Sequence, residues 1–93
     1  MQVKGKVIHI GQTENVTDTF KKRVLVVEVP DGEYPQQIKM EAVQKHVDIL
    51  DNVKIGDDVT ASINLRGREF VNRNTGQKDW FTSVQIWKVE SDF

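Results

Sequence analysis

The chain has 93 residues, with 13 Lys and Arg against 14 Asp and Glu, a formal net charge of −1, and no cysteine. That length holds one domain with a modest core, and the lack of cysteine excludes disulfide staples and thiolate metal sites. The near-neutral balance excludes nucleic-acid binding by bulk charge alone, yet a neutral domain can still present one basic face.

No apolar run approaches the length of a membrane span, and Met1–Lys6 does not read as a signal peptide, so a cytoplasmic location is expected. The Asn15–Thr17 match to a glycosylation acceptor is then read as chance. The basic residues Lys4, Lys6, Lys21, Lys22, Arg23, Arg66, Arg68, Arg73 and Lys78 fall where strands and hairpins are expected. The acids fall mostly in turns, around the helix and at the C-terminus.

In chain order, Val3, Gly5 and Val7 alternate with Lys4 and Lys6, which is the period of a strand. Gly5 suits a bend or a close backbone approach. Residues 11–19 are polar and read as a loop. Phe20–Val29 is the plainest strand, with Leu25, Val27 and Val29 on one side and Phe20, Lys22, Val24 and Val26 on the other. Pro30 and Gly32 end it in a turn. The third strand runs from Tyr34 to Ala42, with Ile38, Met40 and Ala42 inward and Gln37, Lys39 and Glu41 outward. The period then changes, and Val43, Val47 and Leu50 mark one amphipathic helix over residues 42–52. The fourth strand points Val59, Ala61, Ile63 and Leu65 inward and Thr60, Ser62, Asn64 and Arg66 outward. A fifth spans Trp80–Val89, with Val84 and Ile86 inward. Trp87 breaks the alternation and has no assignable face.

Three strands, a helix and two strands is the order of an all-β OB-fold, a five-stranded Greek-key barrel with its helix between the third and fourth strands. Here it would carry a long hairpin between the fourth and fifth. Residues 1–89 form the domain, and residues 90–93 form an acidic tip ending in Phe93.

That hairpin concentrates the chemistry. Asn72, Asn74 and Gly76 tolerate the positive φ values of a turn. Arg66, Arg68, Arg73 and Lys78 bring charge, and Phe70 and Trp80 bring rings near its two roots. Cations meet phosphates and rings stack on bases of any identity, the means by which single strands are gripped. The plain alternative is a solvated hairpin whose rings pack on the body of the domain. OB-folds usually hold ligand across the outer face of the second and third strands, between the loops that join the first strand to the second and the fourth to the fifth. On that face Phe20, Lys22, Val24, Gln37 and Lys39 would lie, with Arg66, Arg68, Phe70, Arg73, Lys78 and Trp80 closing over it.

Several motifs resemble those of a family of short bacterial and phage proteins catalogued as a domain of unknown function, itself similar to OB-fold single-stranded DNA-binding proteins. The resemblance rests on Val3–Ile8, Phe20–Lys22, Tyr34 with Pro35, Ile55–Val59, Arg68–Phe70, and Trp80–Thr82 on to Trp87–Val89. It implies the OB barrel, suggests nucleic-acid binding, and brings no established catalytic or binding residues. The polar length of Val71–Asp79 departs from the family's shorter hairpin. The C-terminal Glu90, Ser91, Asp92 and Phe93 resemble the acidic tips by which bacterial and phage single-stranded DNA-binding proteins recruit replication and repair partners, and so assign partner binding to Asp92 and Phe93.

No phosphate-cradling glycine loop or dinucleotide fingerprint is present. The two histidines, His9 and His46, have no nucleophile or ligand cluster beside them in sequence. The expectation is therefore no enzyme, no cofactor and no metal. Two readings remain: a sequence-tolerant single-strand binder of DNA, with RNA undistinguished, and a non-catalytic assembly or adaptor module such as a phage structural protein. In the second, Val24 and Val26 would bury against another chain. A homo-oligomer is compatible with either, because a strand edge can pair between subunits.

Overall fold

The computed structural model describes residues 1–91. The chain runs through β1 (Gln2–Ile10), β2 (Glu14–Thr17), β3 (Phe20–Val29), β4 (Gln36–Val43), a 3₁₀ helix (Gln44–Asn52), β5 (Asp58–Val71) and β6 (Lys78–Ser91). The sheet order is β1-β5-β6-β4-β3-β2, and a further β1–β3 pairing closes the ring. This is the expected OB-fold barrel. Every ladder is antiparallel except β4–β6, which is parallel and held by the one bridge Glu41↔Gln85. No helix of the described residues is long and apolar enough to cross a membrane.

β1 serves two neighbours. Its first half pairs with β5 and its second half with β3. The changeover falls at Gly5 and Lys6, where β1 passes so close to β3 that a Cβ on Gly5 would lie 2.5 Å from the Glu28 carbonyl oxygen. Only glycine fits there. Leu25, Val27, Met40, Ala42, Val59, Ala61, Ile63 and Ile86 fill the barrel with Val7, and Leu50 and Val53 close one end. The alternation read for β3 and β4 holds along both strands.

Two elements differ from the sequence reading. The loop over residues 11–19 contains β2, a sixth strand whose four residues are all exposed. It turns at Asp18 and Thr19 and folds back on β3. With no buried side it has no apolar alternation to announce it. The helix is 3₁₀ and begins at Gln44, not an α-helix from Ala42. Val47, Leu50 and Val53, all buried, recur every third residue, which matches the roughly three residues per turn of a 3₁₀ helix. Ala42 and Val43 stay in β4. Gln44 makes the corner with φ +54. Its amide donates to the Thr19 carbonyl at 2.9 Å and accepts from the Lys21 N–H at 3.3 Å, tying the corner to the β2–β3 turn.

Arg23 fastens the helix from the other side. Its Nε donates to the Gly11 carbonyl and its guanidinium meets Asp51 of the helix, each at 2.7 Å. One residue thus joins β3, the end of β1 and the helix, and it is a structural cation.

The β6 alternation breaks because of a bulge. Ser62 pairs with Lys88 and Ile63 with Ile86, so Trp87 is the extra residue. The bulge lets Ile86 and Val89 both face the core and leaves Trp87 exposed. Ser62, expected outward, is buried beside this bulge, paired with Gln2 of β1 on one side and Lys88 of β6 on the other. Leu65, expected inward, is 54% exposed. It keeps the inward direction of Ile63, but by then β5 has left the barrel, since its bonds to the N-terminal strand end at Ile63, whose N–H donates to the Met1 carbonyl. β6 itself continues through Glu90 to Ser91, paired with Thr60 and Val59.

Beyond that point β5 and β6 run on together as an arm. At about 3.4 Å per residue, Leu65–Val71 extends it by roughly 20 Å. The radius of gyration, 14.9 Å, exceeds the roughly 12 Å of a compact chain this long because of this projection.

Candidate nucleic-acid interface

The arm ends in a loop over residues 72–77. The Gly76 N–H donates to the Asn72 carbonyl at 2.7 Å, and the Asn72 N–H to Gln77 at 2.9 Å. Gly76 takes φ +70, while Asn72 and Asn74 do not take positive φ. They act through side-chain chemistry instead: the Asn72 Oδ1 accepts the Asn74 N–H at 2.9 Å. The arm is thus a defined ribbon with a fixed register.

That register decides which side chains act together. Residues directly opposite in an antiparallel ladder share a face, and successive residues alternate. Arg66 lies opposite Ser83, Arg68 opposite Phe81 and Phe70 opposite Asp79. These form the outer face. Leu65 opposite Val84, Glu69 opposite Trp80 and Val71 opposite Lys78 form the inner face, continuous with the core side of the barrel. Lys78 meets Glu69 there at 3.6 Å.

The outer face continues across the barrel wall. The Glu41↔Gln85 bridge aligns the outward residues of β4 with those of β6. Lys39 and Glu41 line a cleft of about 260 Å³ with Phe81, Thr82, Ser83 and Val84. Arg66, Gly67 and Arg68 line a second, of about 200 Å³, with Phe81, Ser83 and Gln85. On β3 the ladder sets Lys22 beside Val43, Val24 beside Glu41, Val26 beside Lys39 and Glu28 beside Gln37.

Among the expected site residues, the structure therefore gathers Lys22, Gln37, Lys39, Arg66, Arg68 and Phe70 on one outer surface. Phe20 keeps the direction of Lys22 but lines a separate cleft with Thr17, Asp18 and Gln44. Trp80 and Lys78 lie on the inner face of the arm, and Arg73 lies in its tip. Asp92 and Phe93 lie outside the described residues. Phe81, 54% exposed between the two arginine-lined and lysine-lined clefts, was not among the residues picked out from the sequence. It could have been found by counting across the ladder from Arg68.

The surface is not uniformly basic. Lys22 is 3.8 Å from Glu41. Lys88 is 2.8 Å from Glu90, and its ammonium holds that exposed carboxyl below the usual carboxylate range. Among the described residues, no group of three or more His, Cys, Asp or Glu could hold a metal ion.

The profile of one family, described as a domain of unknown function (DUF3127), matches residues 2–90. The chain belongs to that family. No curated protein matches the sequence. Among solved structures, this DUF3127 chain is similar to the mitochondrial single-stranded DNA-binding protein Rim1 of S. cerevisiae. The TM-score is 0.70 over 98% of this chain and 91% of the other, at 11% sequence identity. At that identity the likeness is one of fold.

Proposed function

We propose that this protein binds single-stranded DNA with broad sequence tolerance and without catalysis, in replication, recombination or repair. The observation that carries the reading is the common outer face of Arg66, Arg68, Phe70 and Phe81, which runs on to Lys39 and Lys22. Guanidinium groups beside exposed rings suit a flexible strand, whose phosphates and base faces are both within reach. A rigid duplex hides its base faces and gains only the charge term. The fold likeness to a protein named for single-stranded DNA binding supports the same reading.

A titration with a labelled single-stranded oligonucleotide, its duplex and the RNA of the same sequence, at two salt concentrations, tests it. Preference for single strands and a log–log salt slope of roughly −0.7 per phosphate neutralised are expected. Equal binding to duplex, or no binding at low salt, contradicts the reading. A preference for RNA over DNA would change the ligand class.

The arm's inner face favours a second reading, an assembly module that docks protein. Leu65, Val71 and Trp80 are 54%, 59% and 66% exposed there. Loss of protein partners with intact DNA binding in a Trp80→Ala variant would distinguish that use from strand binding.

A further inference from the structure

Glu41 is out of keeping with a phosphate-binding surface. It sits at the centre of the outer wall, opposite Val24 on β3 and bridged to Gln85 on β6. Its side chain is only 21% exposed. Lys22 is its ion-pair partner at 3.8 Å, longer than the roughly 2.7–3.2 Å of a direct N–H···O hydrogen bond. A carboxylate there repels the phosphates of a bound strand, so the part of such a strand that suits it is a base edge with a hydrogen-bond donor.

The surroundings fit a base. β4 and β6 meet at a single bridge, and the cleft between them is lined by Lys39, Glu41, Phe81, Thr82, Ser83 and Val84. Its volume of about 260 Å³ falls just below the roughly 300–1,000 Å³ of drug-sized ligand pockets. Phe81 forms one wall and offers a π-face. Lys39 and Ser83 supply donors, and Glu41 supplies an acceptor only.

We propose that this cleft takes one unstacked base of the bound strand and that Glu41 selects there for bases carrying an exocyclic amine. The inference rests on the single-strand-binding reading and narrows its ligand. Cytosine presents an N4 amine that donates to a carboxylate, while its O2 and N3 accept from Lys39 or Ser83. Thymine and uracil place the O4 carbonyl where cytosine has the amine, so acceptor faces acceptor. Their N3–H is the one donor on that edge, and the carbonyl oxygens that flank it repel a carboxylate drawn up to it. Sequence tolerance from stacking is kept elsewhere along the strand, with a bias at this one position.

The test is fluorescence anisotropy of the full chain with labelled oligo(dC) and oligo(dT) of equal length, which match in phosphate count. The wild type is expected to bind oligo(dC) about fivefold or more tightly, the lower end of what a well-paired base edge discriminates. Glu41→Gln offers a donor as well as an acceptor, so its affinities for the two should converge to within about twofold. Equal wild-type affinities with binding retained overturn the base selection and leave strand binding intact. A cytosine preference that survives Glu41→Gln overturns it as well. No binding of either oligonucleotide overturns both readings. Equal wild-type affinities overturn the selection without the variant. Where Glu41→Gln is destabilised, Glu41→Thr, which removes the carboxylate and keeps a strand-forming side chain, should bring the same convergence, a surviving cytosine preference again overturning the proposal.

Discussion

Arg68 stands directly opposite Phe81 in the β5–β6 ladder, so a guanidinium and an exposed ring share one face of the arm. One residue further along, Glu69 stands opposite Trp80 on the other face. The arm therefore has two chemistries, basic and aromatic outside, and apolar with one ion pair inside.

The cations of the arm should not be equivalent. Arg66→Gln and Arg68→Gln should each weaken binding of every sequence and reduce the salt slope by about 0.7. Lys78→Gln should leave the slope unchanged, because Lys78 is on the inner face beside Glu69. Salt titrations of the three variants check this, and an equal effect from Lys78→Gln would contradict the division of faces.

Gly5→Ala should destabilise the barrel by about 1–3 kcal/mol, the range for forcing atoms into a packed site. The added methyl would press on the Glu28 backbone carbonyl, which belongs to a paired strand and cannot swing away. Chemical denaturation measures the loss. An unchanged midpoint would mean that β1 and β3 are farther apart at the crossover.

Arg23→Ala should cost about 1.5–3 kcal/mol, the range for hydrogen bonds made by a charged group. Its bonds to Gly11 and Asp51 hold the helix across the barrel end. Oligonucleotide affinity of the folded variant should stay near the wild-type value, since Arg23 serves the frame. Thermal melts and a parallel titration separate the two effects.

The barrel was legible because its strands alternate. Leu25, Val27, Met40, Ala42 and Val59 announce a buried side, and the change of period after Ala42 announces a helix. The exposed β2 offered no such contrast, and the type of helix turned on a three-residue spacing easily taken for 3.6. The candidate site was legible as composition and illegible as geometry. Arg66, Arg68, Phe70 and Trp80 are close in sequence, yet whether they face the same way depends on the pairing of β5 with β6. The Trp87 bulge hides that pairing from a count made along β6. Once the register is known, Trp80 moves to the inner face and Phe81 takes its place beside the arginines.

Affinity for a labelled single-stranded oligonucleotide, measured side by side for Phe81→Ala and Trp80→Ala with both shown folded by thermal melts, tests the outer face most directly. Phe81→Ala is predicted to lose about 1–3 kcal/mol of binding, the cost of one stacked base, while Trp80→Ala stays close to the wild type. Loss at Trp80 with none at Phe81 would contradict the account and place the strand on the inner face of the arm.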